Sequence, residues 1–535
     1  MLTIGEATLK DVRSPLGESL VSRRRFLGSA AAAALAAGAA QVPLARAQRG
    51  PARLVGYPFT LGVASGDPLP DSVVLWTRLA PAALSGGGMP DRAVEVRWEV
   101  ADDEGFSRVV RRGTEVARPA LGHSVHAEPE GLQPGREYFY RFIAEGEASP
   151  TGRAKTAPIG SPASLVFAFA SCQQYEHGYF TSYQHMARED LDFVVHLGDY
   201  IYEYEPNDFR AAGGNVRAHS GPEIITLDDY RNRYAQYKSD PDLQAAHAAF
   251  SWLVTWDDHE IDNNWADEVP EDGQPREAFL RRRASAFQAY YEHMPLRRAS
   301  RPTGIDLQLY RRLAFGDLAS FNVLDTRQYR SDQPCNDIAV VGCDERLDPA
   351  RTLTGEEQER WLLDGLGASR ATWNVLAQQV FFAQRDFNTD DTQRFSTDAW
   401  DGYAANRDRI LGFVEERNVA NPIVITGDVH NNWACDLKAD FDDPESRTLG
   451  SEFVGTSIST GGNGTDTTPF GEGVVEENPH IKFNNGQRGY VRCALNRETW
   501  RTDFRVVPYV KRPGAPVETL RSFVVEAGNP GLNPA

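Results

Sequence analysis

Cysteine is scarce in this sequence, with five in 535 residues, too few for a disulfide scaffold. Positive charge is also in short supply. Lys and Arg number 56 against 75 Asp and Glu, a formal net charge of −19. A surface of that sign is poorly suited to wrapping nucleic acid, and no long polybasic run is present to hold an anionic membrane. There is no internal repeat and no long low-complexity tract. Beyond the first fifty or so residues no apolar run nears the length of a membrane span. No Gly-x-Ser-x-Gly elbow joins a strand to a helix, so a serine nucleophile of that kind is not indicated. What is there is 41% apolar and 10% aromatic, with 46 Gly and 32 Pro. This is globular composition, and the length allows two to four domains with a large core.

Residues 1–47 read as an address and not as a fold. Ser22-Arg23-Arg24-Arg25-Phe26-Leu27 precedes an Ala-rich apolar stretch, and Ala45-Arg46-Ala47 is a small-x-small cleavage signature. The paired arginines resemble a twin-arginine signal. The apolar stretch is short for a stable anchor, which is the alternative reading. Cleavage before Gln48 would remove six basic and three acidic residues, leaving a net charge of −22. The twin-arginine machinery carries proteins that are already folded, so the signal suits an enzyme loaded with its cofactor before it leaves for the periplasm or the medium.

Two folded regions are expected after it. Residues 48–157 read as short strands. Residues 94–100 alternate as Val-Glu-Val-Arg-Trp-Glu-Val, and Pro134-Gly135 turns into the strand-like Tyr138-Phe139-Tyr140-Arg141-Phe142. Gly131 to Tyr138 looks like the late turn and strand of a fibronectin-type sandwich, so an Ig/fibronectin-like all-β domain is expected. From residue 158 to 510 short apolar strands alternate with amphipathic helices, as at 276–294 and 403–419. This predicts a layered α/β domain. Thr354-Gly355-Glu356-Glu357 has capping-box spacing. Residues 511–535 begin and end with Pro and Gly, and 517–527 read as a short helix near the active site.

Four polar clusters each follow an apolar run. Ser171-Cys172 follows residues 165–170. Gly198-Asp199-Tyr200-Ile201-Tyr202 follows 193–197. Trp256-Asp257-Asp258-His259-Glu260-Ile261-Asp262-Asn263-Asn264 follows 252–255, and Gly427-Asp428-Val429-His430-Asn431-Asn432 follows 423–426. Ligands of open α/β sheets bind at the carboxyl ends of strands, so four such loops can converge on one point. Each cluster alone reads as an ordinary turn, a surface ion pair or a buried thiol. Together they form a set of carboxylate, imidazole, phenol and thiol groups suited to iron beside a second ion such as Ca²⁺, Mn²⁺ or Zn²⁺. Two such ions can clamp a phosphoryl group.

The order Gly-Asp-x-x-Tyr, Asp-His-Glu, Gly-Asp-x-His resembles the calcineurin-like metallophosphatases, and among them the PhoD-like alkaline phosphatases. Val63-Ala64-Ser65-Gly66-Asp67-Pro68, Leu324-Asp325-Thr326-Arg327-Gln328-Tyr329-Arg330 and Trp400-Asp401-Gly402-Tyr403 support it, and the likeness spans residues 58–533. The resemblance implies a four-layer βαβ-sandwich catalytic domain behind the small β-sandwich, with ferric iron and calcium as cofactors and Zn, Mn or Mg as substitutes for the second ion. It implies that Asp199 bridges the metals and that Tyr202 and Cys172 bind iron. Asp258, Asp428, His430 and Asn263 (or Asn264) would be further ligands. His259 would contact substrate, and metal-hydroxide attack would break a phosphate monoester. The wider superfamily often has a metal His before the last motif. Here the region reads Trp373-Asn374-Val375-Leu376-Ala377-Gln378-Gln379-Val380, so Gln379 is expected to ligate weakly or to hold a water, and a hard second ion is favoured.

Arg327 is a candidate phosphate clamp; an Asp325–Arg327 ion pair is the alternative. Cys335 and Cys343 can pair, and Cys435 with Cys493 can be a second pair or two buried thiols. The partner expected is a phosphate-ester substrate, with neither nucleic-acid scaffolding nor stable membrane insertion. A phosphodiesterase or phospholipase D acting on lipid headgroups or teichoic acid is the alternative activity. An exported non-enzymatic binding protein is a further one.

Overall fold

Two sheets face each other across the middle of the molecule. The computed structural model describes residues 56–271 and 273–535; the export signal read over residues 1–47 lies outside the described residues. The first sheet has ten strands in the order Asn529–Pro534, Glu518–Glu526, Thr499–Val507, Arg488–Leu495, Leu165–Ala170, Phe193–Leu197, Ser251–Thr255, Val63–Gly66, Val74–Arg78, Ser124–Ala127. The second has seven, in the order Arg311–Phe315, Ala319–Val323, Trp373–Ala377, Pro422–Thr426, Thr448–Val454, Asn432–Lys438, Ile481–Asn485. Parallel pairing holds each centre. Leu165–Ala170, Phe193–Leu197, Ser251–Thr255 and Val63–Gly66 run together in one sheet. Ala319–Val323, Trp373–Ala377, Pro422–Thr426 and Thr448–Val454 do so in the other.

The apolar runs are continuous because both faces of each central strand are covered. Phe167, Phe193, Val195 and Leu253 point between the sheets and meet Phe321, Val375, Ile423 and Ile425 of the opposite sheet. The residues between them point outward. Ala168, Val194, Trp252 and Val254 pack under helices including Leu227–Lys238 and Arg276–His293. Leu376 and Val424 pack under Gly355–Ala368 and Ala404–Arg417. The result is the expected four-layer sandwich, helix on sheet on sheet on helix. Among the described residues no helix is long and apolar enough to cross a membrane.

The N-terminal region is all β. Val94–Ala101, Val109–Ala117 and Glu137–Ala144, with the short Glu147–Ala148 and Gly152–Lys155, make a separate five-stranded sheet. Its neighbours Val63–Gly66, Val74–Arg78 and Ser124–Ala127 instead extend the ten-stranded sheet. Trp76 reinforces that union by donating its indole N–H to the Glu292 carbonyl at 3.0 Å.

Two local expectations are corrected, and the cysteine pairing is decided. Residues 517–527 are no helix: Glu518–Glu526 is a strand, joined across Ala527-Gly528 to the strand Asn529–Pro534. Phe523-Val524-Val525 suits a pleated strand better than a helix, and Gly528 at φ +77° closes the turn. Helix Gly355–Ala368 starts where expected but without its capping box, because the Thr354 hydroxyl contacts Asn406. Cys335 and Cys343 form a disulfide, whereas Cys435 and Cys493 are buried free thiols in different sheets.

Candidate metal centre

The parallel strands of both sheets end at a common edge, and the four predicted loops leave from it. Cys172 and Asp199 stand two residues beyond their strands, Asp258 three, and Asp428 two. The turns are tight. Cys172, Asp199, Asp428 and His430 all lie at positive φ, between 56° and 63°. That region costs a non-glycine residue about 1–2 kcal/mol, strain of the kind that gathers at functional sites. Two glycines let the loops touch. A Cβ on Gly198, which has φ +105°, would sit 2.5 Å from the Asp257 Cβ, and one on Gly427 would sit 2.6 Å from Ser171 Oγ.

Ligand-type atoms converge in two groups. Cys172, Asp199 and His430 offer atoms that all lie within 4.8 Å of one another, and so do Asp199, Asp258 and His259. Asp199 belongs to both. Tyr202 closes the first group: its hydroxyl donates to Asp199 Oδ2 at 2.8 Å and lies 3.4 Å from His430 Nε2 and 2.9 Å from Thr460 Oγ1. Its ring covers His259 with centroids 4.2 Å apart. Asp428 is in neither group, but its charge acts on the Cys172 thiol. At this site three buried carboxylate oxygens have no hydrogen-bond partner among the described residues: Asp199 Oδ1, Asp258 Oδ1 and Asp257 Oδ2. Unpaired buried oxygens are costly, and cations would satisfy them.

The electrostatics agree. Burial, with the neighbouring carboxylates behind it, pushes Asp199 and Asp428 well above the usual carboxylate range. Burial raises the Cys172 thiol and the Tyr202 phenol as well, with Asp199 adding to both. Asp258 goes the other way: burial opposes its charge, but His259 and Arg327 hold it low. Bare, this cluster resists its own ionisation. A metal ion inverts that logic, so the donor set fits bound cations.

Several residues that hold the site were not singled out from sequence. Glu260 is fully buried and accepts three backbone N–H groups, from Asp199 at 3.1 Å, Tyr200 at 2.5 Å and Asp257 at 2.9 Å. It ties the Asp199 loop to the Asp258 loop. Glu203 takes His259 Nδ1 at 2.8 Å and the Asn263 N–H at 3.0 Å. Thr460 joins Tyr202 to the Cys172 carbonyl. The Glu of Asp-His-Glu was in view, but its target is backbone, which leaves no mark in sequence.

Arg327 is not free to fork onto a phosphate. It is fully buried, with Nε on Asp257 at 2.6 Å and both terminal nitrogens on Asp398 at 2.8 Å. Asp258 lies 3.8 Å away. Asp325 receives its backbone N–H and not its guanidinium, so the alternative pairing is corrected too. Gln379 is no ligand either, because its amide is spent on Thr255, Leu324 and Thr326. Asn264 donates its amide to Asp337 at 2.6 Å.

The comparisons fit this geometry. The PhoD-like phosphatase family model matches residues 167–504, and the model of that family's N-terminal domain matches residues 45–158. Alkaline phosphatase D of Bacillus subtilis (strain 168) is 58% identical over 478 residues, covering 89% of this chain and 82% of that protein. A solved PhoD structure superimposes with a TM-score of 0.89 at 58% identity, over 90% of this chain and 92% of that one. Purple acid phosphatase PPD1 from yellow lupin seeds has a TM-score of 0.54 at 12% identity, over 87% of this chain and 73% of that one, a likeness of fold.

Proposed function

The chain belongs to the PhoD-like phosphatase family, and from that premise we propose that it is an exported, metal-dependent phosphatase acting on phosphate monoesters at the Asp199 centre. The observation that carries the reading is the sharing of Asp199 by two ligand groups of different chemistry. Cys172, Tyr202 and His430 offer sulfur, phenolic oxygen and imidazole, a set for ferric iron. The second group adds Asp258 and His259 to Asp199; together with Asp428 and Asn263, which lie outside both groups, Asp258 would offer oxygen, a set for calcium, with zinc, manganese or magnesium as the substitute. Asn264 is the alternative amide ligand, since its NH₂ donates to Asp337 at 2.6 Å and its Oδ1 is left for a cation. Such ions, when bound, polarise a phosphoryl oxygen and acidify water.

The chain's own residues do the rest. Glu260 fixes the spacing of the Asp199 and Asp258 loops through their backbone. Arg327 draws Asp257 and Asp398 together beside Asp258, so it is a positioning residue and not a clamp. Glu203 fixes His259 through Nδ1, which leaves Nε2 to face the site and protonate the departing alkoxide. The loop around Ala212 meets Lys511, whose ammonium donates to the Ala212 carbonyl at 2.9 Å. Export by the twin-arginine route fits a protein that takes up its ions while folding.

The test is the ratio of kcat/KM for an aryl phosphate monoester to that of the matching diester, on iron- and calcium-loaded protein. A ratio well above one is expected. A ratio well below one would assign a phosphodiesterase or phospholipase D reaction to the same centre. Asp199→Ala and Asp258→Ala should abolish hydrolysis of either ester.

A further inference from the structure

Nine arginines are buried among the described residues: 78, 233, 282, 283, 327, 330, 385, 407 and 488. Eight of them donate to named carbonyls, carboxylates or polar side chains, for example Arg78 to the Gly122 carbonyl, Arg233 to the Tyr202 carbonyl and Arg488 to the Gly462 carbonyl. Arg385 is the exception. It is 8% exposed, its Nε has no partner, and among the described residues its side chain makes no hydrogen bond or ion pair. Its backbone N–H is anchored on Asp401 at 2.9 Å. The guanidinium instead lies among three rings, 4.3 Å from the centroid of Phe381, 5.0 Å from Phe387 and 5.5 Å from Trp433. The indole N–H of Trp433, itself buried, is also without an acceptor.

A buried, unpaired cation is costly. Stacking on rings offsets part of that cost but supplies no acceptor oxygen. Two orphaned donors on side chains in ring contact therefore ask for an oxyanion. Their place in the fold says which. Arg385 is in the segment that follows the carboxyl end of strand Trp373–Ala377, beside strand Pro422–Thr426. Trp433 comes directly after the loop carrying Asp428 and His430, and Asp401 and then Asp428 are the carboxylates whose charges act most on Arg385. This is the edge at which the metal-site loops converge. With Arg327 fully engaged by carboxylates, the phosphoryl group still lacks a guanidinium.

We propose that Arg385, backed by the Trp433 indole N–H, binds the phosphoryl oxygens of the substrate and of its orthophosphate product. The proposal rests on the phosphatase reading for the ligand's identity. The orphaned donors stand independently of it. A planar fork held between rings is pre-organised, so little rotamer freedom is lost when it meets two oxygens.

The test is orthophosphate binding by titration calorimetry and by thermal shift, on wild type, Arg385→Met and Arg385→Lys, with metal content measured for each. For Arg385→Met we expect a dissociation constant about tenfold to a hundredfold weaker, as for loss of a charge-assisted hydrogen-bond pair. Arg385→Lys should fall between. Without phosphate, Arg385→Met should melt no lower than wild type, since removal of an unpaired buried charge relieves a cost. Added phosphate should then raise its melting temperature less than that of wild type. Unchanged phosphate affinity in Arg385→Met at equal metal content would overturn the proposal. So would a marked loss of stability with binding intact, which would make Arg385 a packing residue. Should Arg385→Met fail to fold, the same comparison on Arg385→Lys decides. A protein that hydrolyses no ester yet loses phosphate binding on substitution would overturn the hydrolytic reading and keep this one.

Discussion

Glu260→Gln probes the backbone tie that sets the spacing of the metal-site loops. The native carboxylate accepts N–H groups from Asp199 and Asp257 on Oε2 and from Tyr200 on Oε1. A glutamine is nearly isosteric but has a single acceptor oxygen. With that oxygen in the Oε2 position the bonds to Asp199 and Asp257 survive, while the amide NH₂ faces the Tyr200 N–H. An unpaired buried N–H costs about 1–3 kcal/mol, and turning two charge-assisted bonds into neutral ones adds about 0.5–1 kcal/mol each. The sum is about 2–5 kcal/mol, localised on two loops. Amide hydrogen exchange reads it directly. If these N–H groups exchange by local opening, their rates rise by a factor of about 30 to a few thousand. Peptides spanning residues 198–202 and 256–261 should therefore lose protection, with hydrolysis falling at least tenfold. Glu452→Gln is the control. Glu452 is equally buried and accepts N–H groups of Phe382 and Ala383, so its loss should leave those peptides protected. Native exchange and native turnover in Glu260→Gln would refute the idea that this carboxylate holds the loops together.

Gly198→Ala combines a positive φ with a Cβ 2.5 Å from that of Asp257; expected costs are about 2–5 kcal/mol of stability and about a hundredfold in activity from the displaced loops, and a variant with native kcat/KM would count against the geometry. Arg327→Met leaves Asp257 and Asp398 without their cation, so stability should fall by about 3–5 kcal/mol; a variant of native stability with only a raised KM would restore Arg327 as a substrate clamp. Iron bound by Cys172 and Tyr202 should give a visible charge-transfer band, and Cys172→Ser should shift or remove it; an unchanged band at equal iron content would exclude Cys172 as a ligand. Buried His126 and His480, each lowered by burial from 6.5 to about 4, are neutral in the fold. The unfolded chain binds more protons between those values, so stability is full above pH 6.5 and falls as pH drops through 4. Each contributes about 3 kcal/mol, and His126→Gln should flatten the acid limb of a melting-temperature profile; an unaltered limb would contradict that account.

The strands of the central sheets were legible because both faces are buried. Leu165–Ala170 and Phe193–Leu197 fall where the apolar runs stand, and the polar clusters after them mark the site edge. The helices Arg276–His293 and Ala404–Arg417 also lie where their patterns put them. The C-terminal segment misled because its apolar spacing over residues 517–527 suits either periodicity. Its strand identity comes from pairing with Thr499–Val507, a partner remote from any local signal. The extension of the large sheet by Val63–Gly66 has the same origin: its parallel neighbour Ser251–Thr255 is nearly two hundred residues away in sequence.

Sequence alone therefore determined the class of fold, the loops that meet at the candidate site and the residue types they offer to metal ions, because burial and strand ends leave patterns within a few residues. Tertiary structure decided which groups meet. It placed Asp199 in both ligand groups, closed Glu260 over three backbone donors, turned Arg327 inward to Asp257 and Asp398, and left Arg385 without an acceptor. Those outcomes depend on distances between segments far apart in the chain and on which donors are already satisfied. A sequence lists donors and acceptors; only their packing determines which remain free to act.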